Sequence, residues 1–342
     1  VVVAWASGIY TCLLLDLPNN LELQMGIGLF YLLLFYIINI ASSTLGGRFQ
    51  VLSSIAKMVP LLGVGLVALF FHGNQPDIPA NITPVPVRDV GMGWLAALAP
   101  IAFSFDGWAI ALSISNEVKD SKKTMPLALT IAPIVVLFVY LSYFIGMTHI
   151  LGPEYILSMG DGAVMTIGEM LLGKSGQIIV LLFVLISILG VVNGIILGHL
   201  RMPFALATKD MIPASKKVRT HTHGFLGNYS AVISLICSLF WFFIHYLTQK
   251  LGLMSTGDIS EIAIVFGYIF YMMLYIKVLM LYKEKTVTNF FTGVIAPIFA
   301  LIGGLIIVIG GYTSNPASMT VFFIICLVFC YSGFAYYKKH QI

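Results

Sequence analysis

One acidic residue, Asp106, lies in the middle of an apolar segment that is long enough to cross a membrane. Pro100 precedes it and Gly107 follows it in the stretch "APIAFSFDGWAIALSISNEVKD", residues 99–120. Proline and glycine both weaken a helix, so the segment is predicted to break near its centre. Backbone groups freed by such a break are tolerated only where they line a cavity, and there they can hold the charged ends of a small ligand. The alternative is a kinked helix in which Asp106 pairs with a neighbouring cation.

Three aromatic residues flank this acid, namely Phe103, Phe105 and Trp108. Aromatic side chains are large and rigid, so they could form the walls of a cavity around the break. The segment therefore predicts a small-molecule binding site at membrane depth.

Two further polar residues fall inside apolar runs. Lys57 lies about a third of the way into "FQVLSSIAKMVPLLGVGLVALFF". Its stem could carry the ammonium to the membrane surface, or the charge could stay buried as a coordinating cation or a proton carrier. Asn193 lies in "ILGVVNGIILGHLR" among small residues, which favours an amide that packs helices together. The other interpretation of Asn193 is that it lines the cavity.

The elements that must hold these residues follow from composition. The chain has 342 residues, of which 59% are hydrophobic and 9% are charged, too few charges to cover a soluble domain of this size. Runs of about 20 apolar residues match the thickness of a bilayer core, and they are too uniformly apolar for barrel strands. The sequence predicts an all-α polytopic membrane protein with ten spans. The runs cover residues 1–15, 24–41, 50–71, 93–115, 126–150, 175–207, 229–248, 259–282, 289–311 and 319–337.

The basic residues give the expected orientation. If the spans alternate in direction, all but three of the 18 Lys and Arg residues fall on the side that holds both termini; the exceptions are Arg88, Lys174 and Lys250. Cytoplasmic loops of membrane proteins carry this excess of positive charge. Both termini are therefore predicted to be cytoplasmic. The net charge of +4 reflects the same rule and gives no support for a nucleic-acid partner.

Several other functions find little support in the residues. The four cysteines lie inside apolar runs without metal-ligand spacing, so no metal or cofactor is predicted. A membrane enzyme would need a paired set of catalytic groups at one depth, and Asp106 is the single acid at mid-membrane. A channel would need a continuous polar stripe through several helices, whereas the polar positions here are isolated.

Two local features concern the ends of elements. The pair Gly46-Gly47 in "ASSTLGGRFQ" predicts a helix break, with the next helix beginning near Phe49. The chain begins "VVVAWASGIY", inside an apolar run and without a Met. This start predicts that the sequence enters partway through a longer protein.

Three stretches resemble motifs of one family. "INIASSTLGGRFQVLSSIAKMVPL" contains Lys57, "AFSFDGWAIALSISNEVKDSKKTMPLAL" contains Asp106, and "GVVNGIILGHLRMPFALATKDMIP" contains Asn193. Their order and spacing resemble amino acid permeases of the amino acid–polyamine–organocation superfamily, above all the L-type amino acid transporters and the bacterial serine/threonine exchangers. Ser121 and Met211 depart from the family pattern, which has proline and glycine at these positions.

The resemblance implies a leucine-transporter-type fold, with two inverted repeats of five helices and two peripheral helices. Residues 1–342 would then form a single transmembrane permease domain. Its parts would be the remainder of the first repeat at 1–71, the second repeat at 93–282, and the peripheral helices at 289–337. On this alignment the first two family helices, which hold half of the substrate site, precede the given sequence.

The resemblance also implies roles for the candidate residues. In such permeases the broken helix binds the substrate, so the carbonyls around Phe103, Ser104 and Asp106 would hold the α-amino group. Phe103 would close over the substrate as an outer gate, Trp108 would brace the break, and Phe105 and Gly107 would complete the site. Lys57 would occupy the place where sodium-coupled relatives hold their ion.

The resemblance therefore implies secondary active transport of amino acids across the plasma membrane by alternating access. Sodium-independent exchange or proton coupling is expected, with neutral amino acids of small to medium size as substrates. A cationic amino acid or a polyamine is the alternative substrate, and a non-transporting sensor or partner on a permease fold is the alternative function. The expected partners are the amino acid and the lipid bilayer, with protons if transport is proton-coupled; no protein partner can be named.

Overall fold

The computed structural model describes residues 1–18, 20–113, 115, 118–219, 228–253, 258–314 and 316–340. These ranges contain fourteen α-helices and no strand, together with 3₁₀ turns at Gly91–Ala97 and Gly160–Gly162 and a π-helical turn at Phe291–Ile295. The α-helices are α1 Val2–Leu14, α2 Leu21–Ala41, α3 Ser43–Ala68, α4 Leu98–Phe105, α5 Trp108–Ser113, α6 Ser121–Leu151, α7 Pro153–Met159, α8 Ala163–Leu172, α9 Lys174–Thr208, α10 Ser215–Arg219, α11 Asn228–Lys250, α12 Ile259–Lys283, α13 Ala296–Ser314 and α14 Pro316–His340.

The predicted all-helical membrane architecture is confirmed. In the part of the chain that the structure describes, nine segments are helical, long enough and apolar enough to cross a membrane. The first predicted run instead forms α1, whose 13 residues are fewer than the approximately 20 that a perpendicular span needs. The outward faces are strongly apolar: on α6, Ile134, Phe138 and Phe144 are each more than 60% exposed. Such a surface suits lipid rather than water.

Three clusters of buried side chains hold the helices together. The first joins α1, α2, α9 and α11 around Leu32, Tyr36 and Leu200, with α3 packed against it. We call these five helices the scaffold. The second cluster joins α3 and α6 to the short helices α7 and α8, and the third joins α4, α12 and α14 around Ala99 and Val265. The helix before the break near Asp106, α4, thus packs against α12 and α13 outside the scaffold, whereas the short helix α5 after the break contacts α9.

The prediction of a helix break at Gly46-Gly47 is wrong. The chain breaks at Ser42, which is extended at φ −158° and caps α3 by accepting a hydrogen bond from the Leu45 amide. Both glycines lie inside α3. A side chain on Gly46 would meet the Asn39 amide oxygen, so this glycine serves close helix packing rather than chain reversal.

Candidate functional site

The predicted break is present, and it lies at Asp106 and Gly107. Helix α4 ends at Phe105 and α5 begins at Trp108. Asp106 is extended, with φ −71° and ψ 165°, and Gly107 has φ +103°, a conformation that side-chain-bearing residues rarely adopt. The Asp106 amide donates to the Phe103 carbonyl at 3.1 Å, which closes α4 with a tight final turn. Glycine at position 107 therefore lets the chain leave one helix and enter the next.

The polar groups of the break are met by few partners. The Gly107 amide donates to the Asp106 carboxylate. The Tyr140 hydroxyl, on α6, donates to the Ser104 carbonyl at 3.0 Å, and the Ser104 hydroxyl donates back to the Pro100 carbonyl at 3.1 Å. Asp106 and Ser104 are themselves exposed. The Asp106 carboxylate is thus left accessible beside a helix-terminal carbonyl that Tyr140 already contacts, and both groups favour a cation.

Aromatic rings support the break from two sides. The Phe105 ring meets the Tyr140 ring edge-on, with centroids 5.3 Å apart, and the Trp108 ring lies 4.9 Å from that of Tyr271 on α12. Phe103, Phe105 and Trp108 are all half-buried. Tyr268, also on α12, lies against Tyr271 at 5.5 Å. Asp106 is near enough to both α12 tyrosines to interact with them electrostatically.

Sequence reasoning missed these tyrosines. Tyr140, Tyr268 and Tyr271 lie in runs that were identified only as spans. The available signal was their hydroxyl groups, because a buried tyrosine in an apolar environment usually has a partner for its hydroxyl. That signal could have marked the residues as candidates, but it could not have shown that Tyr140 reaches the Ser104 carbonyl or that Tyr271 packs against Trp108.

The half of the broken helix before Asp106 is held close to α13. Ala99 on α4 is fully buried, and a side-chain carbon on Gly310 of α13 would lie 2.3 Å from the Leu95 carbonyl oxygen. The neighbouring Gly311 is packed against the Val265 side chain in the same way. Small residues allow this close approach of two helices. The first half of the break is therefore anchored on one side by α12 and α13, while Asp106 remains accessible.

Lys57 lies on α3 and is half-buried. No described residue makes a hydrogen bond or an ion pair with it, and nothing in those ranges joins it to the break. One turn earlier on α3, Ser53 fits against Gly190 of α9, where a side-chain carbon would lie 2.2 Å from the serine hydroxyl. The position of Lys57 is consequently fixed by tight packing between α3 and α9, while its ammonium group retains its capacity to bind a partner.

Asn193 is completely buried at the meeting point of three scaffold helices. Its amide nitrogen donates to the Gly46 carbonyl at 2.9 Å and to the Gln50 side chain at 3.2 Å, and its oxygen accepts from Asn39 at 2.9 Å. Asn39 also donates to the Phe35 carbonyl. These bonds support the packing interpretation of Asn193, and a cavity-lining role remains a prediction.

Within the described ranges no group of three or more His, Cys, Asp or Glu residues could hold a metal ion. Asn116 and Glu117, which end the motif that carries Asp106, lie outside those ranges. The arrangement itself offers electrostatic interactions: the Asp106 carboxylate is exposed at the end of α4, with aromatic rings beside the break.

The comparisons with known proteins agree with a polytopic helical membrane protein. The family model for the amino acid permease matches residues 1–311. The chain therefore belongs to the amino acid permease family. The relatives described next are named as transporters or exchangers and not as enzymes.

The serine/threonine exchanger of Bacillus subtilis is 29% identical over 259 residues, which are 75% of this chain and 56% of that protein. The human Asc-type amino acid transporter 1 is 31% identical over 179 residues, 49% of this chain and 31% of that protein. The mouse large neutral amino acids transporter small subunit 2 is 32% identical over 126 residues, 37% of this chain and 23% of that protein. The chain thus spans about half, or less, of the length of these curated relatives.

Proposed function

We propose that the protein carries amino acids across the plasma membrane by alternating access, as a sodium-independent exchanger or a proton-coupled carrier. Neutral amino acids of small to medium size are the proposed substrates. The observation that carries the proposal is the accessible break between α4 and α5, where a helix is interrupted inside a membrane segment and the residues Asp106 and Ser104 are exposed. Family membership and the exchanger and transporter names of the relatives support it.

The proposed binding step uses the α-ammonium group of the substrate. The α-ammonium group would bind the carbonyls around Phe103, Ser104 and Asp106, because the last carbonyls of a helix carry partial negative charge. Phe103 would close over the bound substrate from outside. Trp108, which is braced by Tyr271, would keep the second half of the helix in place while Gly107 changes conformation.

The proposed role of Lys57 is to replace a coupling sodium ion. A half-buried ammonium group held by α3 supplies the charge that an ion would otherwise bring. Because no described residue neutralises it, we expect Lys57 to bridge to another part of the transport machinery. Lys57→Ala should lower uptake and change its dependence on pH, whereas Lys57→Arg should preserve part of the uptake. Normal uptake with a normal pH profile in Lys57→Ala would contradict this role.

The effect of substituting Asp106 distinguishes a carrier of neutral amino acids from a carrier of cationic substrates. If the carboxylate only orders the break, Asp106→Asn should reduce the uptake of neutral amino acids modestly and evenly. If it binds a second positive charge, the same change should remove the uptake of lysine, arginine or polyamines selectively. We expect the first result, because the Gly107 amide already donates to this carboxylate. Selective loss of cationic uptake would establish the alternative substrate class.

The direct test is counterflow in proteoliposomes with the full-length protein. Vesicles preloaded with unlabelled amino acids would be offered a labelled panel, with and without sodium or a pH gradient. Accumulation of a few neutral amino acids without sodium would support the proposal, and sodium dependence would contradict its coupling mode. No accumulation of any amino acid or polyamine by folded protein would favour a non-transporting sensor or partner.

The orientation forms part of the same proposal, with both termini on the cytoplasmic side. Cysteine labelling from outside intact cells tests it. A single cysteine placed at Asp77 in the loop after α3 should react, and one placed at Lys122 at the start of α6 should not. Labelling at position 122 but not at position 77 would show that the orientation is the opposite of the proposed one.

A further inference from the structure

A short basic segment follows the longest helix of the structure. Residues 209–219, which we call the basic foot, comprise a turn after α9 and the five-residue helix α10. The foot is folded back against the protein: Val218 is 2% exposed, Ser215 is 7% exposed, and the Ser215 hydroxyl donates to the Ile212 carbonyl at 2.6 Å. Contacts of α10 with α9 and α11 keep it at the end of both spans. The foot is therefore a folded element that packs against α9 and α11.

The charges of the foot are arranged on its outer surface. Lys209, Lys216 and Lys217 are exposed. Arg219 forms two parallel contacts with the Asp210 carboxylate, at 2.9 and 3.1 Å, and this bidentate pair closes the turn on itself. The segment carries a net charge of +3. Because the one acid of the foot, Asp210, is bound to Arg219, it does not neutralise Lys209 or Lys216.

The foot lies beside a surface that faces lipid. Met202 on α9 and Val232 on α11 are each 53% exposed, and both belong to segments apolar enough to cross a membrane. Tyr229, at the beginning of α11, is 54% exposed. Tyrosine favours the boundary between the apolar core and the headgroups of a bilayer. The position of Tyr229 therefore places the lysines of the foot at the level of the headgroups.

We propose that the basic foot is a binding site for the phosphate headgroup of an anionic phospholipid. Clusters of four or more basic residues next to the end of a span attract anionic lipids. Here the packing of Val218 and the Arg219–Asp210 pair hold the backbone that carries the lysines, so only their side chains need to be ordered when the lipid binds. The acyl chains of such a lipid would lie along the exposed apolar surface at Met202 and Val232.

The test measures how a lipid stabilises the purified full-length protein in a neutral detergent. Phosphatidylglycerol would be titrated and the unfolding temperature followed, with phosphatidylcholine and inorganic phosphate as separate arms. The test variant is Lys209→Gln/Lys216→Gln. The matched control is Lys122→Gln/Lys123→Gln, which removes the same charge from two exposed lysines at the beginning of α6. A salt titration of the unmodified protein accompanies both.

We expect phosphatidylglycerol to raise the unfolding temperature of the unmodified protein while phosphatidylcholine and inorganic phosphate do not. The apparent affinity for phosphatidylglycerol should fall about 30-fold in the test variant and less than about twofold in the control, and it should weaken with salt. Equal losses in both variants would overturn the proposal, since they would reflect overall charge. An equal effect of inorganic phosphate would show that the foot binds a free anion rather than a lipid headgroup. Should the test variant fail to fold, Lys216→Gln alone and the salt titration decide by the same criteria.

Discussion

The scaffold and the break use polar groups in opposite ways. At the scaffold, Asn193 is fully buried and Asn39 is 2% exposed, and side-chain hydrogen bonds join them across α2, α3 and α9. At the break, Asp106 and Ser104 are exposed, and the hydroxyl of Tyr140 is the one contact from another helix that the described residues give to its backbone carbonyls. A polar group whose hydrogen bonds are satisfied inside the protein contributes to packing. A polar group left accessible in a membrane segment costs free energy and is expected to serve function.

The same contrast extends along α11. Ser230, Ser234 and Ser238 follow one another at intervals of four residues, and all are less than 9% exposed. The Tyr36 hydroxyl lies 2.8 Å from both Ser234 and Ser238, and Ser230 donates to the Leu200 carbonyl. The hydrogen bonds of these three serines join α11 to α2 and α9. The scaffold thus has side-chain hydrogen bonds at several levels along α11.

The largest effect is expected from filling the space at Gly46. A side-chain carbon there would lie 1.9 Å from the Asn39 amide oxygen, and Asn39 cannot move without losing its bonds to Phe35 and Asn193. Overpacking and a disturbed buried amide together should cost about 3 kcal/mol in the free energy of unfolding. Thermal unfolding of Gly46→Ala in detergent measures this loss.

Gly47→Ala is the matched control for this prediction. Gly47 lies next to Gly46 in the same helix, and a side-chain carbon there meets no atom within 4 Å. Alanine stabilises a helix by up to about 1 kcal/mol relative to glycine. We therefore expect Gly47→Ala to unfold at the same temperature as the unmodified protein or slightly higher. Equal destabilisation by both changes would show that the amide contacts do not support the scaffold.

The second prediction concerns the break, where function should suffer more than stability. Gly107→Ala adds a carbon in open space, so its cost arises only from the backbone at φ +103°. That conformation costs an alanine about 1–3 kcal/mol, which the exposed chain can relieve by moving Asp106. Transport in the counterflow assay should fall about tenfold, while the unfolding temperature falls less than in Gly46→Ala.

Gly267→Ala on α12 serves as the control for this change. Gly267 also has no atom within 4 Å of the added carbon, but its backbone is helical. Its substitution should leave transport within about twofold of the unmodified protein. If Gly107→Ala transported normally, the conformation of the break would not be required for the cycle.

Hydropathy and residue type predicted the elements that depend on nearby sequence. The spans follow from the length of apolar runs, and the break follows from Asp106 and Gly107, because both residue types have low helix propensity. The glycines at 46 and 47 failed as a break signal because tertiary packing overrides that propensity. The role of Gly46 depends on Asn39 and Asn193, and Asn193 is 147 residues away from Gly46.

The partners of the site could not be predicted because they come from distant helices. Tyr140 lies 36 residues beyond the Ser104 carbonyl that it contacts, and Tyr271 reaches Trp108 from α12. Neither pair shares a local pattern with the motif around Asp106. Asn193 illustrates the same limit, since one amide in an apolar run suits packing and cavity lining equally until its neighbours are known.

The smallest effect is expected at Tyr140, which joins α6 to the break. Tyr140→Phe keeps the ring that lies 5.3 Å from Phe105 and removes only the hydroxyl that donates to the Ser104 carbonyl. One neutral hydrogen bond contributes about 1 kcal/mol, so the apparent KM for the amino acid should rise about fivefold with little change in the maximal rate.

Tyr143→Phe, on the same helix, is the control for Tyr140→Phe. Tyr143 is half-buried, and its hydroxyl makes no hydrogen bond to any residue that the structure describes. Its substitution should leave KM unchanged, so a difference between the two variants isolates the bond to the Ser104 carbonyl. If Tyr140→Phe instead bound the substrate more tightly, the hydroxyl would compete with the ammonium group for that carbonyl. The break would then resemble the scaffold more closely, because the Ser104 carbonyl would stay hydrogen-bonded to Tyr140 until the substrate displaced that hydroxyl.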